Sequence, residues 1–326
     1  MEVKFWGTRG SLPRPSTHAD ALLLVDRLVG AAKDVGLKTI PELSRAAKAG
    51  KLSYPLLFGG NTTCTEVRQK NESLFVDMGS GMREAGAAFM KSKTRDFNVL
   101  ITHMHWDHLM GLPFFVPIYI PGTRVRIYHT HRNAEDFVKI LFNGINFPIK
   151  WDGDQIKARF EFIQLKLYKP EKIGRFTVTP FNLDHPGGSF GYRIEGGGKS
   201  VAVGVDGEFR RNSRADLGKD LRFYQNLDLL IFDSQYDYDE LAAHFDWGHC
   251  TPRIGIDIAL REGIKNLAFT HHDPSSDDNK LIRMYEDSQT YTKSQLSQYR
   301  EVWRKNKQPK GPHLHYCYDG MQIELK

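Results

Sequence analysis

The sequence predicts an α/β protein built in four layers, with two β-sheets packed face to face and helices on the outside. Three observations lead there. Short segments rich in β-branched and aromatic residues recur along the 326 residues, and they alternate with stretches of helical periodicity. The many strands interleaved with helices favour two packed sheets over a single doubly wound one. An apolar content of 40% fits a chain with a substantial core. One domain spanning residues 1–326 is expected, and no repeat or low-complexity tract interrupts it.

The elements follow in order. Met1-Glu2-Val3-Lys4-Phe5-Trp6 alternates charged and apolar residues and reads as the first strand. Thr62 to Arg68 and Ser73 to Asp77 continue it as a meander, and Asn98 to Thr102 is a buried strand. Further strands are expected at Arg124 to His129, Phe160 to Leu165, Phe176 to Leu183, Phe190 to Ile194, Ser200 to Val205, Leu227 to Phe232, Asn266 to Thr270 and Met321 to Leu325. Helices are expected at Arg83 to Lys91, Ala134 to Phe142 and Pro252 to Arg261, with a long polar helix from Asp277 to about Trp303. Thr251 is placed to cap the third of these, Pro252 suits its first position, and Gly263 ends it.

A helical insertion near the N-terminus occupies about residues 16–57. Leu22, Val25, Leu28, Val29 and Ala32 fall on helical spacing, and Pro41 opens a second short helix through Ala49. The pair reads as a lid, as the surface of a homodimer, or as packing. Apolar runs such as Leu112 to Ile120 are broken by Pro113 and Pro117 and fall short of the ~20 residues that span a bilayer, so no membrane helix is expected. The amino terminus lacks the apolar centre of a signal peptide, which makes the cytoplasm the expected compartment. Cys64, Cys250 and Cys317 form no paired motif and read as free, buried thiols. The net charge of +6 is modest. Arg210, Arg211 and Arg214, and separately Arg304, Lys305, Lys307 and Lys310, read first as solvated surface and second as anion sites.

Chemistry concentrates in His103-Met104-His105-Trp106-Asp107-His108, directly after a buried strand. In an extended backbone His103 and His105 face the same way, while Asp107 and His108 turn onto the following helix, so four metal donors converge. Packing does not account for three imidazoles and a carboxylate so close together, whereas metal coordination does. His129-Thr130-His131 shares part of the spacing but lacks the Asp-His, and reads as surface or as support for the site.

This segment resembles the His-x-His-x-Asp-His signature of the metallo-β-lactamase superfamily, whose members are metal-dependent hydrolases of the αββα fold. The resemblance continues in order through Asp184-His185-Pro186-Gly187, Val203-Gly204-Val205-Asp206-Gly207 and Phe269-Thr270-His271. It implies two divalent ions, one held by His103, His105 and His185 and one by Asp107, His108 and His271, with Asp206 bridging them. His272 is the rival of His271, since adjacent strand residues point to opposite faces. The resemblance favours His271. Zinc is the implied metal, with manganese or iron as alternatives.

Leu227 to Asp233, followed by Gly248-His249-Cys250-Thr251, resembles the ribonuclease Z-like branch, in which an acid orients a histidine that protonates the leaving group. That implies catalytic roles for His249 and Asp233 beside Asp107. The residues alone equally allow Asp233 as a turn former and His249 as a helix-start residue. Phe5 to Ser11, Gly59 to Cys64, Gly111 to Phe115 and His185 to Tyr192 are similar to bacterial class II cyclic-AMP phosphodiesterase-like members. The chain departs from them in the helical insertion and in Cys250, where serine is more usual; a packing role is expected for Cys250.

The implied reaction is hydroxide attack on a small or cyclic-nucleotide phosphodiester. Alternatives, in order, are ribonuclease Z-like RNA 3′-end processing, thioester or lactone hydrolysis, and a non-catalytic nucleic-acid-binding or regulatory role. No long Gly/Pro-rich arm lies between Asp206 and His249, which counts against a tRNA substrate.

Overall fold

The computed structural model describes every residue except 35, 37, 50, 53, 212 and 303–309. Trp303, Arg304, Lys305 and Lys307, named above, lie outside the described residues. The first half of the chain forms β1 (Glu2–Gly7), α1 (His18–Asp34), α2 (Ile40–Lys48), β2 (Cys64–Gln69), β3 (Glu72–Val76), α3 (Gly81–Phe89), β4 (Asp96–Leu100), β5 (Arg124–His129), α4 (Ala134–Ile140) and β6 (Arg159–Gln164). The second half forms β7 (Glu171–Ile173), β8 (Phe176–Leu183), β9 (Ser189–Gly196), β10 (Lys199–Gly204), α5 (Arg214–Leu217), β11 (Leu229–Asp233), α6 (Pro252–Glu262), β12 (Asn266–Thr270), α7 (Asp278–Val302), β13 (His313–Tyr316) and β14 (Gln322–Glu324).

These strands make two seven-stranded sheets, ordered β14-β1-β2-β3-β4-β5-β6 and β13-β12-β11-β10-β9-β8-β7. The side-chain period of two sorts each strand between two cores. On β10, Val201 and Val203 enter the apolar layer shared by both sheets, while Ala202 faces the opposite way. On β11, Leu229 and Ile231 join that layer, whereas Leu230 and Phe232 pack outward toward Ile256 and Leu260 of α6. The first sheet repeats the arrangement, with Leu74 and Val76 inward and Phe75 outward against Met82 of α3. Three apolar layers therefore separate four structural ones, the αββα sandwich that the sequence predicts. At about 1.5–3 kcal/mol for each fully buried large apolar side chain, these layers are the main favourable term in folding.

Differences from the sequence expectations have local causes. β7 is three residues long and carries two charges, and β13 is an edge strand reading His313-Leu314-His315-Tyr316, so neither shows a β-branched run. Thr251 occupies the N-cap position of α6, but its hydroxyl makes no capping bond and is buried without a partner. Gly263 ends the helix at φ 70°. Asp107 and His108 lie in a single 3-10 turn, Trp106–His108, and not on an α-helix.

The insertion is a helical pair, α1 and α2. Arg27 ties it to the start of α7, with Nη2 donating to Asp278 Oδ2 at 2.8 Å and to the Leu56 carbonyl at 3.2 Å. Leu43 and Ala46 of α2 are buried and Leu28 and Ala32 of α1 partly so, but Leu22, Val25 and Val29 are exposed, so packing accounts for only part of the apolar stripe of α1. No helix among the described residues is long and apolar enough to cross a membrane. All three cysteines are free and buried.

β3 and β4 are parallel neighbours, as are β10, β11 and β12. β8 runs in the direction of β10, because each is antiparallel to β9. The residues that follow the carboxyl ends of these six strands, in two different sheets, meet at one rim of the sandwich.

Candidate metal centre

Each strand end delivers one part of the centre. Beyond β4 come His103, His105, Asp107 and His108; beyond β8, His185; beyond β10, Asp206; beyond β12, His271. Donor atoms of His103, His105 and His185 lie within 4.8 Å of one another, and so do those of Asp107, His108 and His271. Asp206 sits between the two groups. Its Oδ1 is 3.9 Å from both His103 Nε2 and His185 Nε2, while its Oδ2 is 3.0 Å from His108 Nε2 and 3.1 Å from His271 Nε2. All seven residues proposed from the sequence as ligands are thus brought together. Asp206 and His271 hold left-handed backbone, φ 58° and 63°, which is unusual for residues with side chains and typical of functional sites.

The electrostatics divide the same way. Burial pushes His103, His105 and His185 below the ordinary imidazole value, so each keeps a neutral ring with a lone pair to offer. Burial opposes the charged form of His271, but Asp206 and Asp107 outweigh it and push the ring up to about 9. His108 rises in the same way, against burial, through Asp107, Asp206 and Asp77. Burial works against Asp107 and Asp206, yet the neighbouring histidines hold both well below the usual carboxylate range. Carboxylates buried this deeply need positive charge beside them. His103 Nε2, His108 Nε2 and Asp206 Oδ2 are all buried without a hydrogen-bond partner, and these three residues bring donor atoms within 4.8 Å of one another. Orphaned donors and acceptors of this kind, in buried His/Asp clusters, fit a dinuclear metal site.

A supporting layer fixes the rings, and much of it was not singled out in the sequence. Asp77, fully buried with φ 65°, lies 2.9 Å from His108 Nδ1 and accepts from the backbone N–H of Thr102 at 2.8 Å, so His108 turns Nε2 toward the centre. The available signal was an aspartate closing an apolar strand, the same pattern as Asp206 and Asp233. Substituting Asp77→Ala should weaken metal binding about 10–100-fold while leaving every proposed ligand in place; a chelator titration that gives wild-type affinity would contradict this role.

The glycine-rich motifs act by close approach. A Cβ on Gly10 would lie 2.4 Å from the His271 ring. Gly248, at φ 86°, would place one 2.1 Å from His185 Nδ1, and its own carbonyl already lies 2.9 Å from that nitrogen. Ser11 N–H donates to Asp107 Oδ2 at 2.8 Å, and the Thr62 hydroxyl donates to the Asp107 carbonyl at 2.7 Å. The Phe5–Ser11 and Gly59–Cys64 segments are therefore scaffolding for Asp107.

His249 and Asp233 stand beside the centre. His249 Nδ1 is 3.0 Å from Asp233 Oδ2, and Asp233, with no exposure, also accepts from the N–H groups of Cys250 at 2.9 Å, Gln235 at 3.1 Å and Asp206 at 3.1 Å. Asp233 Oδ2 lies 3.6 Å from His271 Nδ1, so this carboxylate touches both groups of function and is more than a turn former. Burial pushes the Cys250 thiol far above its ordinary value, as for an inert packing residue.

The remaining candidates fall away from the centre. His272 turns into the core, with Nε2 2.9 Å from the Cys317 carbonyl, and burial lowers it to about 3. His131 Nε2 lies 3.2 Å from the Thr102 carbonyl and His129 Nδ1 2.7 Å from the His131 carbonyl, so this pair braces backbone. Arg210 is paired with Glu208 and Asp246, Arg211 with Asp184 and Asp220, and Arg214 with Glu262.

A profile of the beta-lactamase superfamily domain matches residues 76–272. Ribonuclease Z of Sulfurisphaera tokodaii is 28% identical over 72% of this chain and 90% of its own, and that of Picrophilus torridus is 23% identical over 86% and 89%. Among solved structures, the metallo-beta-lactamase fold protein YhfI of Bacillus subtilis superposes with TM-score 0.62 at 16% identity, covering 99% of this chain and 98% of that one. The short form of human tRNase Z gives 0.57 at 17% with full coverage of both chains, and unliganded yeast PDE1 gives 0.56 at 14% with 98% of each. With the profile spanning every strand end that builds the centre from Asp77 to His271, the chain belongs to the metallo-β-lactamase superfamily.

Proposed function

We propose that this chain is a metal-dependent phosphodiesterase in which His103, His105 and His185 hold one divalent ion, Asp107, His108 and His271 hold a second, and Asp206 is shared. The nitrogen-rich first set suits zinc, and the mixed second set also accepts manganese or iron. When bound, such ions supply Lewis-acid charge toward a phosphate and bring the pKa of water toward neutrality.

The observation that carries the reading is the His249–Asp233 pair. Asp233 holds His249 Nδ1 at 3.0 Å, which leaves Nε2 as the atom that gives a proton to the departing oxygen. Three backbone donors fix Asp233, so the imidazole has a set orientation. An alkoxide leaving a phosphodiester needs such an acid, while thioester and lactone hydrolysis do not. A purely binding role leaves the pair, and the orphaned donors around Asp206, without a purpose.

Two substrate classes share this chemistry. The name carried by the relatives favours cleavage at an RNA 3′ end, which we place ahead of the small or cyclic-nucleotide diester expected from the sequence. One observation keeps the second class in play. The segment between β10 and β11 packs down through Leu217, Phe223 and Tyr224 and, among its described residues, raises no arm to grip a tRNA. Measuring kcat/KM for precursor tRNA and for cyclic AMP on one metal-loaded preparation decides the order. The RNA reading expects the larger value for the precursor; a preference of about 100-fold or more for the cyclic nucleotide, roughly 2.7 kcal/mol, reverses it. Hydrolysis of neither, with both ions bound, removes the phosphodiesterase reading.

A further inference from the structure

Arg9, in the segment after β1, is one of the largest fully buried side chains, and it carries a charge where the others of its size are tyrosine and phenylalanine. A guanidinium without exposure needs its N–H groups and its charge met inside the fold. Arg9 meets them across three segments. Nε donates to the Gly59 carbonyl at 3.0 Å, Nη1 donates to the carbonyls of Asp273 at 3.1 Å and Ser276 at 2.7 Å, and Nη2 lies 3.5 Å from Asp278 Oδ1 at the start of α7. Arg27 of the inserted helix α1 takes the other oxygen of Asp278, at 2.8 Å. One largely buried carboxylate is therefore shared by a core arginine and an arginine of the insertion.

The backbone around Arg9 is paired with the segments that present the second metal set. The Thr8 carbonyl accepts from the His272 N–H, the Gly10 N–H donates to the His272 carbonyl, and the Arg9 N–H donates to the Asn61 carbonyl, each at 2.9 Å. The next two residues touch proposed ligands directly: Gly10 packs against the His271 ring, and Ser11 N–H donates to Asp107 Oδ2. Ser11 and His271 both hold left-handed backbone, φ 59° and 63°. Residues with side chains keep such a conformation only where their surroundings over-determine it. Arg9 supplies that constraint from both sides, because its backbone lies two residues before Ser11 while its side chain binds the Asp273–Ser276 turn, which begins two residues after His271.

His103, His105 and His185 are held from elsewhere: their hydrogen bonds and ion contacts run to Thr102, Gly248, Asp206 and one another. We propose that Arg9 is a positioning residue for the second metal set, fixing Asp107 and His271 through Ser11 and Gly10, and that the insertion reaches that set through Arg27, Asp278 and Arg9. The insertion then acts on one of the two ions and not on the other. This rests on the two-ion reading above and deepens it.

The test is zinc affinity, read by competition with a chelator on the whole chain. Arg9→Met, which removes fork and charge together, and Asp278→Asn, which deprives the buried guanidinium of the carboxylate it pairs with, should each weaken the second set about 10-fold or more, the scale of a lost support around a metal ligand. Asp278→Asn leaves the start of α7 intact, because Asp277 Oδ1 accepts the Lys280 N–H at 2.7 Å. Arg9→Lys keeps the charge but not the fork and should fall in between. Arg27→Met should give a smaller loss than Asp278→Asn, and none beyond it when the two are combined, since both act through one carboxylate.

Backgrounds that disable one set assign the effect. With His185→Ala, which cripples the first set, Asp278→Asn should keep its full effect on the remaining equivalent; with His271→Ala, which cripples the second, it should have none. A merely structural role for Arg9 gives a different result, a lower melting temperature with both affinities unchanged or weakened alike, and either form of it overturns the proposal while leaving the two-ion reading intact. A full additional loss in the combined Arg27→Met, Asp278→Asn variant overturns the link to the insertion. If Arg9→Met does not fold, Asp278→Asn and Arg27→Met, at side chains 10% and 19% exposed, decide in the same way. Unaltered protein that never binds a second equivalent removes the two-ion reading and the proposal with it.

Discussion

Replacing Asp206 with alanine is expected to empty both halves of the metal centre at once. Its Oδ1 faces His103 and His185 and its Oδ2 faces His108 and His271, so this one carboxylate is placed to serve both groups. The substitution also removes the charge that most strongly sustains His271. Metal analysis should fall from about two equivalents toward none, whereas His185→Ala should leave the set at Asp107, His108 and His271 partly loaded. Hydrolysis of any diester should fall by more than on the order of 10⁴-fold, beyond what loss of a proton donor alone accounts for. Asp206→Asn serves as a control for folding, because it keeps the volume and the backbone bond to Asp233 while weakening the charge. Retention of two equivalents, or loss of only one, in the alanine variant would show that the carboxylate is not shared.

The αββα layering and the donor residues were legible because their signals are local. β8 and β12 run from Phe176 to Leu183 and from Asn266 to Thr270, the bounds expected from composition, and each hands its next residues to the centre. A histidine or aspartate directly after an apolar strand is visible in one dimension. What the sequence hid is mostly non-local. Asp77 reaches His108 across 31 positions, and the fit of Gly10 against His271 spans 261, so neither is marked by spacing. The choice between His271 and His272 needed the register of β12 against β11 and the turn at φ 63° that swings His271 inward. Strands β7 and β13 were hidden because edge strands need only backbone pairing, not a buried face. The stripe on α1 kept its three readings open for the same reason: helical spacing of apolar residues signals a buried face only when something covers it, and among the described residues Leu22, Val25 and Val29 are exposed while Leu28 and Ala32 are partly buried.

The sequence separates Asp233 from His249 by a 16-residue span, and the structure closes it to 3.0 Å; the consequence is a test of proton transfer that the metal ligands do not share. His249→Ala should slow hydrolysis of an alkyl diester by roughly 10²–10⁴-fold, the usual contribution of a positioned acid, with metal content unchanged. A bis-p-nitrophenyl diester should be affected far less, because its phenolate departs readily without a proton. Asp233→Asn is expected to be the more damaging member of the pair in one respect. Oδ2 of Asp233 accepts from both the Asp206 N–H and His249 Nδ1, and its Oδ1 accepts from Cys250 and Gln235, so whichever position the amide nitrogen takes, it faces donors. The Asn variant should therefore lose the leaving-group dependence of the His249 variant and add a weakening of metal affinity through the Asp206 loop. The rival geometry is real: donor atoms of Asp206, Asp233, His249 and His271 also lie within 4.8 Å of one another, an arrangement that a ligand role for His249 would use. Equal losses on the alkyl and p-nitrophenyl diesters together with a lost metal equivalent in His249→Ala would assign the histidine to that role and take from the phosphodiesterase reading the observation on which it stands.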